Sequence, residues 1–412
     1  MRVAVTGLGT AGAAVAALLH DLGHDVTVLE QAPDPGPVGA GLWLQGMGQT
    51  VLDRLGLLDA LRAVSTPVDR VDVRTAAGRQ LVAVGYDDLP GAVPALGVHR
   101  GDLFGLLQGA VGARGIPVET GVRVTGVAPA AGGLVVGTGV GHRGPFDLVV
   151  GADGSRSVVR EALGVTRRDH PYGYGALWAV VDDPHGLAGG TLHQRLRGTR
   201  QYLGVLPTGS GRASVFWSVH QDRMGATLAA GLDAWRAEAE PFASGLEPLL
   251  ERVGRLLPAV YRDVVVRRPS RMSGDGAAVV LVGDAAHAMS PQLGTGASLA
   301  LADAWTLALC VGEAGRGRAR LGEALETYAA SRRRHLRWYQ WWTRLMMPVF
   351  QSDLVPLAGV RDLAAPVVCG LPGVPRLLVG TLCGDRTSPW SRWTPPYTGR
   401  GASAPSPRSS AG

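Results

Sequence analysis

Short apolar runs rich in Val, Leu and Ala recur along the chain, separated by turns bearing Gly or Pro. Arg2–Thr6 (RVAVT), the FDLVV run from Phe146, and Val279–Val282 (VVLV) contain almost no polar alternation. Apolar runs of this length bounded by turn residues predict strands buried on both faces. Each is followed by a glycine-bearing turn and the start of a helix. Gly7-Leu8-Gly9-Thr10-Ala11-Gly12 opens an Ala-rich helix over Ala13–Leu22, which Gly23-His24-Asp25 ends; Val26–Leu29 forms a second strand closing on Glu30. Gly151-Ala152-Asp153-Gly154 follows the second run. Gly283-Asp284 follows the third, and a loop with Pro291, Gly294 and Gly296 leads into helical spacing at Leu299, Leu301, Ala304, Leu307 and Ala308. Strand, glycine loop and helix place backbone N–H groups and helix N-termini at one sheet edge, a site suited to negative charge.

The pattern between these units differs. Gly36–Leu58 is a Gly-rich loop leading into an amphipathic helix with Val51, Leu55 and Leu58. Val68–Val84 alternates around an Ala77-Gly78 turn and predicts a hairpin. Val98-His99-Arg100 precedes a helix over Asp102–Ala113, and Ile116–Val127 and Gly133–Val140 predict antiparallel strands. From Tyr172 to Arg268 the runs YGALWAVVDD, GGTLHQRL, QYLGVLPTG and RASVFWSVH alternate, which predicts an antiparallel sheet; helices around Trp235 and Leu249 and a strand at Val264–Val266 follow. Arg320–Met347 reads as a helix rich in Arg and Trp, Pro348–Gly380 as one or two short helices, and the Ser/Pro/Gly-rich stretch from Thr387 as disordered. Packing on the remainder of the protein or on a dimer partner is the expected use of the Arg/Trp helix, ahead of a membrane surface.

Composition narrows the possibilities. The 412 residues suffice for about two domains, and 46% apolar with 18% charged residues fits a soluble globular class. All 40 basic residues are Arg, which excludes any mechanism needing a catalytic lysine. The net charge of +6 can steer anionic ligands, while no Arg run interleaved with aromatics points to nucleic acid. Cys310, Cys369 and Cys383 match no metal pattern, and no metal is expected. A strand beginning at Arg2 leaves no room for a signal peptide, and no uninterrupted apolar run is long enough to span a bilayer, so a cytoplasmic protein is expected.

The first unit is the dinucleotide fingerprint in full context. Gly7 permits the tight turn, Gly9 lets a pyrophosphate approach the backbone, and Gly12 lets helix and strand pack closely. Glu30 lies 18 residues after Gly12, where its carboxylate can accept from an adenosine ribose with free hydroxyls, so FAD or NAD rather than NADP. With GADGSRSVVR and GDAAHAMSPQLGTGASLALADAWTLA following in order, the chain resembles the class A flavoprotein monooxygenases of the para-hydroxybenzoate hydroxylase type over roughly Met1–Tyr339.

The resemblance implies an α/β fold: a Rossmann-like FAD-binding domain over residues 1–170 and 269–318, an inserted antiparallel-sheet substrate domain over 171–268 to which hairpin 68–95 contributes, C-terminal helices over 319–383 and a disordered tail over 384–412. It implies that Gly7, Gly9, Thr10, Ala11, Gly12, Glu30 and Gln31 hold the ADP half of FAD. Arg100 would contact the flavin-side phosphate or ribityl chain, Asp153 the pyrophosphate or NAD(P)H, and Asp284 the ribityl or pyrophosphate region. Pro291, Leu293, Gly294, Thr295 and Gly296 would lie at the isoalloxazine ring. His287 is expected to be a structural hydrogen-bonder rather than a catalytic base. In the alternating sheet Trp178, Arg200, Tyr202 and Trp217 are the candidate substrate contacts. The implied chemistry is transfer of one oxygen from O₂, through a C4a-hydroperoxyflavin, to a phenolic or polyketide-like aromatic compound, with NADH or NADPH as transient reductant. Alternatives are a flavin-linked reductase or oxidase, a Baeyer–Villiger oxygenase, or a non-catalytic FAD-binding protein; a flavin halogenase is excluded by the missing lysine. A monomer or homodimer without integral membrane association is expected.

Overall fold

The computed structural model describes residues 1–36, 39–315 and 317–397. Its first sheet runs in the order Ser270–Met272, Ala278–Leu281, Leu148–Gly151, Arg2–Thr6, Asp25–Leu29 and Val118–Glu119. All neighbours are parallel except the Ser270–Met272 edge. Val5 pairs with both Val28 and Val150, and Val150 with Val280, so the three unpatterned runs lie side by side. Their residues alternate between two cores: Val3, Val5, Val28, Val150 and Val280 face one, and Ala4, Leu29, Val149, Val279 and Leu281 face the other. Burial on both faces is why these strands show no polar period.

Helices Thr10–Asp21, Arg100–Ala113 and Gly296–Ala314 supply the first core; the second is closed by the sheet of Val124–Ala130, Gly133–Thr138 and Gly141–Phe146 and by helix Val158–Leu163. Gly296–Ala314 is long and on average apolar enough to cross a membrane, although Asp303 interrupts its apolar run. It is nonetheless a core helix: Leu299, Leu301, Ala304, Leu307 and Val311 are all buried.

The second large sheet has seven strands: Leu257–Ala259, Tyr174–Asp182, Arg212–His220, Gln201–Gly209, Thr191–Arg197, Arg70–Thr75 and Gln80–Gly85. The hairpin from the first half of the chain joins it through a parallel pairing, Val73 opposite Gln194. Leu177, Ala179, Leu203, Val205, Val215 and Trp217 face one side, against Trp235, Phe242 and Leu249 of the helices that follow. Trp178, Tyr202, Leu206 and Phe216 face the other. That side meets a small three-stranded sheet of Gly41–Leu44, Ala95–His99 and Thr66–Val68, which is the hinge between the two halves. The approach demands glycine: a Cβ on Gly97 would fall 1.9 Å from the Pro207 carbonyl oxygen, and the Gly41 N–H donates to Ser214 Oγ at 3.0 Å.

The Arg/Trp-rich segment is one helix, Leu321–Phe350, packed on Gly296–Ala314 through Leu325, Tyr328, Arg332, His335 and Tyr339. Helices Pro356–Cys369 and Val374–Leu382 follow. The expectation of a disordered tail is corrected for residues 384–397. Trp393 is buried, its ring stacks on His335 at 5.0 Å, and its indole N–H donates to Ser331 Oγ at 3.2 Å. Apolar Trp393 outweighs the Ser and Pro around it. Residues 398–412 of the expected tail lie outside the described residues.

His335 ties this segment down. Arg332 donates to its Nδ1, so Nε2 carries the proton and donates to the Gly384 carbonyl at 2.7 Å. Burial, then the Arg332 guanidinium, push its pKa well below 6.5. The unfolded chain therefore takes up a proton that the folded chain refuses, and stability falls as pH drops below about 6.5, by about 1.4 kcal/mol per pH unit for the single group. Thermal unfolding followed from pH 8 to 5 is expected to show Tm falling below pH 6.5, with a shallower slope in His335→Gln.

Candidate active site

At the end of strand Arg2–Thr6 the backbone turns at Gly7 with φ +93°, and a Cβ on Gly12 would lie 1.9 Å from the Gly7 carbonyl oxygen. Only glycine fits both positions, and the close approach brings the N-terminus of helix Thr10–Asp21 to the sheet edge. Gly9 caps that helix with extended backbone and no side-chain hydrogen bond, and nothing lies within 4 Å of where its Cβ would be. The N–H groups of the first turn, at Thr10, Ala11 and Gly12, thus have no side-chain cap. Glu30 stands beside the turn: Oε2 accepts from Leu8 N–H at 2.7 Å and Oε1 from Ala32 N–H at 2.8 Å. The carboxylate is oriented by these bonds and keeps lone pairs for further donors. Gln31 follows it, exposed.

Gly283, at φ +59°, ends strand Ala278–Leu281 so tightly that a Cβ there would sit 2.9 Å from Ala11 Cβ. This contact sets the third motif against the first helix and leaves Asp284 exposed at their junction. A single turn at Pro291–Leu293 and Gly294 at φ +61° then lead to buried Thr295 and helix Gly296–Ala314. This helix also begins without a side-chain cap and without an acid in its first turn. Buried Gln45 fastens the loop: its N–H donates to Ser298 Oγ at 3.1 Å, Ser298 Oγ donates to Gln45 Oε1 at 2.7 Å, and Gln45 Nε2 donates to the Leu293 carbonyl at 3.3 Å. Two helix N-termini without side-chain caps are thus brought together around Gly283, which approaches Ala11 of one helix and Ala300 of the other, a place suited to an anionic ligand. The residues fit FAD.

Asp153 has a different immediate task. Oδ1 accepts from Ser157 Oγ at 2.5 Å and Oδ2 from Val159 N–H at 3.2 Å, so it holds the first turn of helix Val158–Leu163 together with Ser157, the N-cap that accepts from Arg160 N–H. Its Cα lies 3.3 Å from the Cβ position of Gly7, bracing the fingerprint turn. Arg160, unremarked in the sequence, is fully buried and donates to the Ala285 carbonyl at 3.0 Å and to Asp169 at 2.7 Å, locking the second motif to the third. Arg100 runs along Gly39, whose Cβ position is 3.2 Å from its Cδ, and its charge acts on Tyr261.

His287 lies buried, with Nε2 2.6 Å from Asp303 Oδ2. The same oxygen accepts from Gly283 N–H at 2.8 Å, and Oδ1 from Arg332 Nε at 2.6 Å. Burial opposes the charge on Asp303, but His287 and Arg332 beside it hold its pKa down to about 2. The histidine is thereby committed to the scaffold of the loop.

Trp178, Tyr202 and Phe216 share one face of the seven-stranded sheet and pack in one apolar cluster with Trp43, which lies against Gly294. Trp178 Nε1 donates to Tyr261 Oη at 3.0 Å, and Tyr202 and Phe216 meet edge to face at 5.5 Å. Two candidate contacts need correction. Trp217 is on the other face of the sheet, 5.0 Å edge-on from Phe242, because neighbouring residues of a strand point to opposite sides. Arg200 is at an exposed turn, paired with Asp353 at 2.9 Å. Trp43 and Tyr261 adjoin these aromatics without a mark in the sequence pattern beyond a bulky aromatic inside the glycine-bearing strand Gly41–Leu44.

A family model described as FAD binding domain matches residues 1–339. The chain is similar to 3-amino-4-hydroxybenzoate 2-monooxygenase of Streptomyces cremeus, 33% identical over 339 residues that cover 76% of this chain and 78% of that one. It is 29% identical to aurachin C monooxygenase/isomerase of Stigmatella aurantiaca over 336 residues, 81% and 85% of the two chains. Among solved structures it is similar to Klebsiella pneumoniae HpxO complexed with FAD and uric acid, with a TM-score of 0.76 at 23% identity over 93% of this chain and 97% of that one, a likeness of fold.

Replacing Glu30 by Ala removes the acceptor for two backbone N–H groups and the acid beside the fingerprint turn. The variant is expected to bind FAD at least about tenfold more weakly, in line with losing one or two hydrogen bonds to a charged group. Flavin absorbance retained after gel filtration, or titration by flavin fluorescence, checks this.

Proposed function

The chain belongs to the class A FAD-dependent aromatic monooxygenases, with FAD as its cofactor, and on that premise we propose that it inserts one atom of O₂ into a hydroxylated aromatic ring with NADH or NADPH as reductant. Written out, ArH + O₂ + NAD(P)H + H⁺ gives ArOH + H₂O + NAD(P)⁺. FAD, when bound, takes the hydride and activates the O₂.

The observation that carries this reading is the pair of uncapped helix N-termini brought together by the Gly283–Ala11 contact. The N-terminus at Thr10 would hold the pyrophosphate, while Glu30 would accept from the ribose. Gln31, Asp153, Asp284 and Arg100 line the path toward the ring. The N-terminus at Gly296 sets positive potential beside Pro291, Leu293, Gly294 and Thr295, where it stabilises negative charge on the reduced ring. Trp178, Tyr202 and Phe216 form an apolar roof that excludes water from the reacting atoms. We take the enzyme to be cytoplasmic and a monomer or homodimer.

Turnover under ¹⁸O₂ with a phenolic substrate tests the reading. One ¹⁸O per product molecule is expected by mass spectrometry. NAD(P)H consumption that yields only H₂O₂ or unlabelled product would instead establish the reductase or oxidase alternative.

A further inference from the structure

Between the ring-side loop and the roof the structure places an aromatic cluster of Trp43, Tyr86, Tyr202 and Phe216, with Trp178, Phe350, Leu378 and Leu382 part-exposed at its margin. Trp43 spans it. Strand Gly41–Leu44 sends Leu42 and Leu44 toward the flavin-domain core and Trp43 toward the sheet. One edge of the indole lies 3.0 Å from the Cβ position of Gly294, and the ring meets Tyr86 edge to face at 6.5 Å. Trp43 is 5% exposed, yet its indole N–H has no acceptor. A buried donor left unpaired is unfavourable, and a ligand oxygen at that position would satisfy it.

Most of the charge around this cluster is paired within the protein, Arg392 with Asp385 near Cys383 included. The guanidinium groups that border it are committed: Arg361 to Asp362 and the Gly198 and Val349 carbonyls, and Arg200 to Asp353. Arg195, Arg74 and Asp72 pair with one another on the opposite face of the sheet. The ionisable neighbours of Tyr202 and Tyr261 reduce to each other and to Arg100, and burial raises both phenol pKa values, so they remain neutral hydrogen-bonding groups. A carboxylate placed here would lose its hydration with only Arg100, which the monooxygenase reading assigns to FAD, to offset it.

Resting on the reading that this is an aromatic monooxygenase, we propose that its substrate is an uncharged, largely apolar aromatic compound bearing a hydroxyl or carbonyl oxygen, which accepts the Trp43 indole N–H, with the ring held against Trp178, Tyr202 and Phe216. The apolar walls supply affinity and the indole fixes orientation.

The FAD-loaded full chain is titrated with two matched pairs, 2-naphthol against 3-hydroxy-2-naphthoate and 4-ethylphenol against 4-hydroxybenzoate. Binding is read from perturbation of the flavin spectrum, and turnover from stimulated NAD(P)H oxidation. The neutral member of each pair is expected to bind at least about tenfold tighter. Trp43→Phe, which keeps a ring and removes the N–H, is expected to weaken the neutral ligand about fivefold, with FAD loading as the check on folding. Tighter binding of the carboxylates, abolished in Arg100→Gln, overturns the proposal in favour of an anionic substrate. FAD retained with no binding of either neutral compound also overturns it. If Trp43→Phe fails to load FAD, the wild-type pairs decide alone. A chain that binds no FAD fails the monooxygenase reading itself, a separate result.

Discussion

The carboxylate of Asp303 is the interaction on which the rest of the site depends. It is fully buried, and its two oxygens hold the Gly283 N–H, His287 and Arg332. Through Gly283 it sets where the third strand stops, and through His287 how the ring-side loop leaves it. Arg332 carries the same constraint into the long helix, onto His335 and the Trp393 ring, over which its guanidinium lies at 5.0 Å. Removing one partner of such a buried group leaves uncompensated charge, at a cost of about 3–5 kcal/mol. The reward is specificity of geometry: two helix N-termini are held together although they come from opposite ends of the chain.

A second constraint is the close approach of the two halves. Gly97 against Pro207 and Gly41 against Ser214 leave no room for side chains, so the small sheet carrying Trp43 is clamped to the roof strands. The distance between ring-side loop and roof is set there by backbone contact. The aromatic cluster around Trp43 is therefore held against the loop that carries Gly294, beside the N-terminus of helix Gly296–Ala314.

Much of this was legible in the sequence, for a physical reason. A parallel strand buried on both faces must be apolar throughout, and a turn that passes a helix within van der Waals contact must be glycine. Both leave local marks, and Gly7, Gly12, Gly283 and Gly294 stand where those marks said. The fingerprint, the second motif and the third could therefore be read one at a time. His287, expected as a structural hydrogen-bonder, pairs with the Asp303 carboxylate, a partner 16 positions away that leaves no local mark.

Other features are sums over distant residues and leave no local mark. Alternation in the roof strands says that Phe216 and Trp217 face opposite sides, and only packing against Phe242 says which side is which. Trp393 sits among Ser and Pro, and its burial depends on a stacking partner 58 positions earlier in the chain, His335. The sequence by itself determined the dinucleotide-binding architecture and its glycine positions, because those are requirements of backbone geometry within a few residues. Tertiary structure alone decided which face of the sheet each aromatic occupies, that Asp303 joins three elements, and that the segment to residue 397 is packed, because each is a contest between partners far apart in the chain.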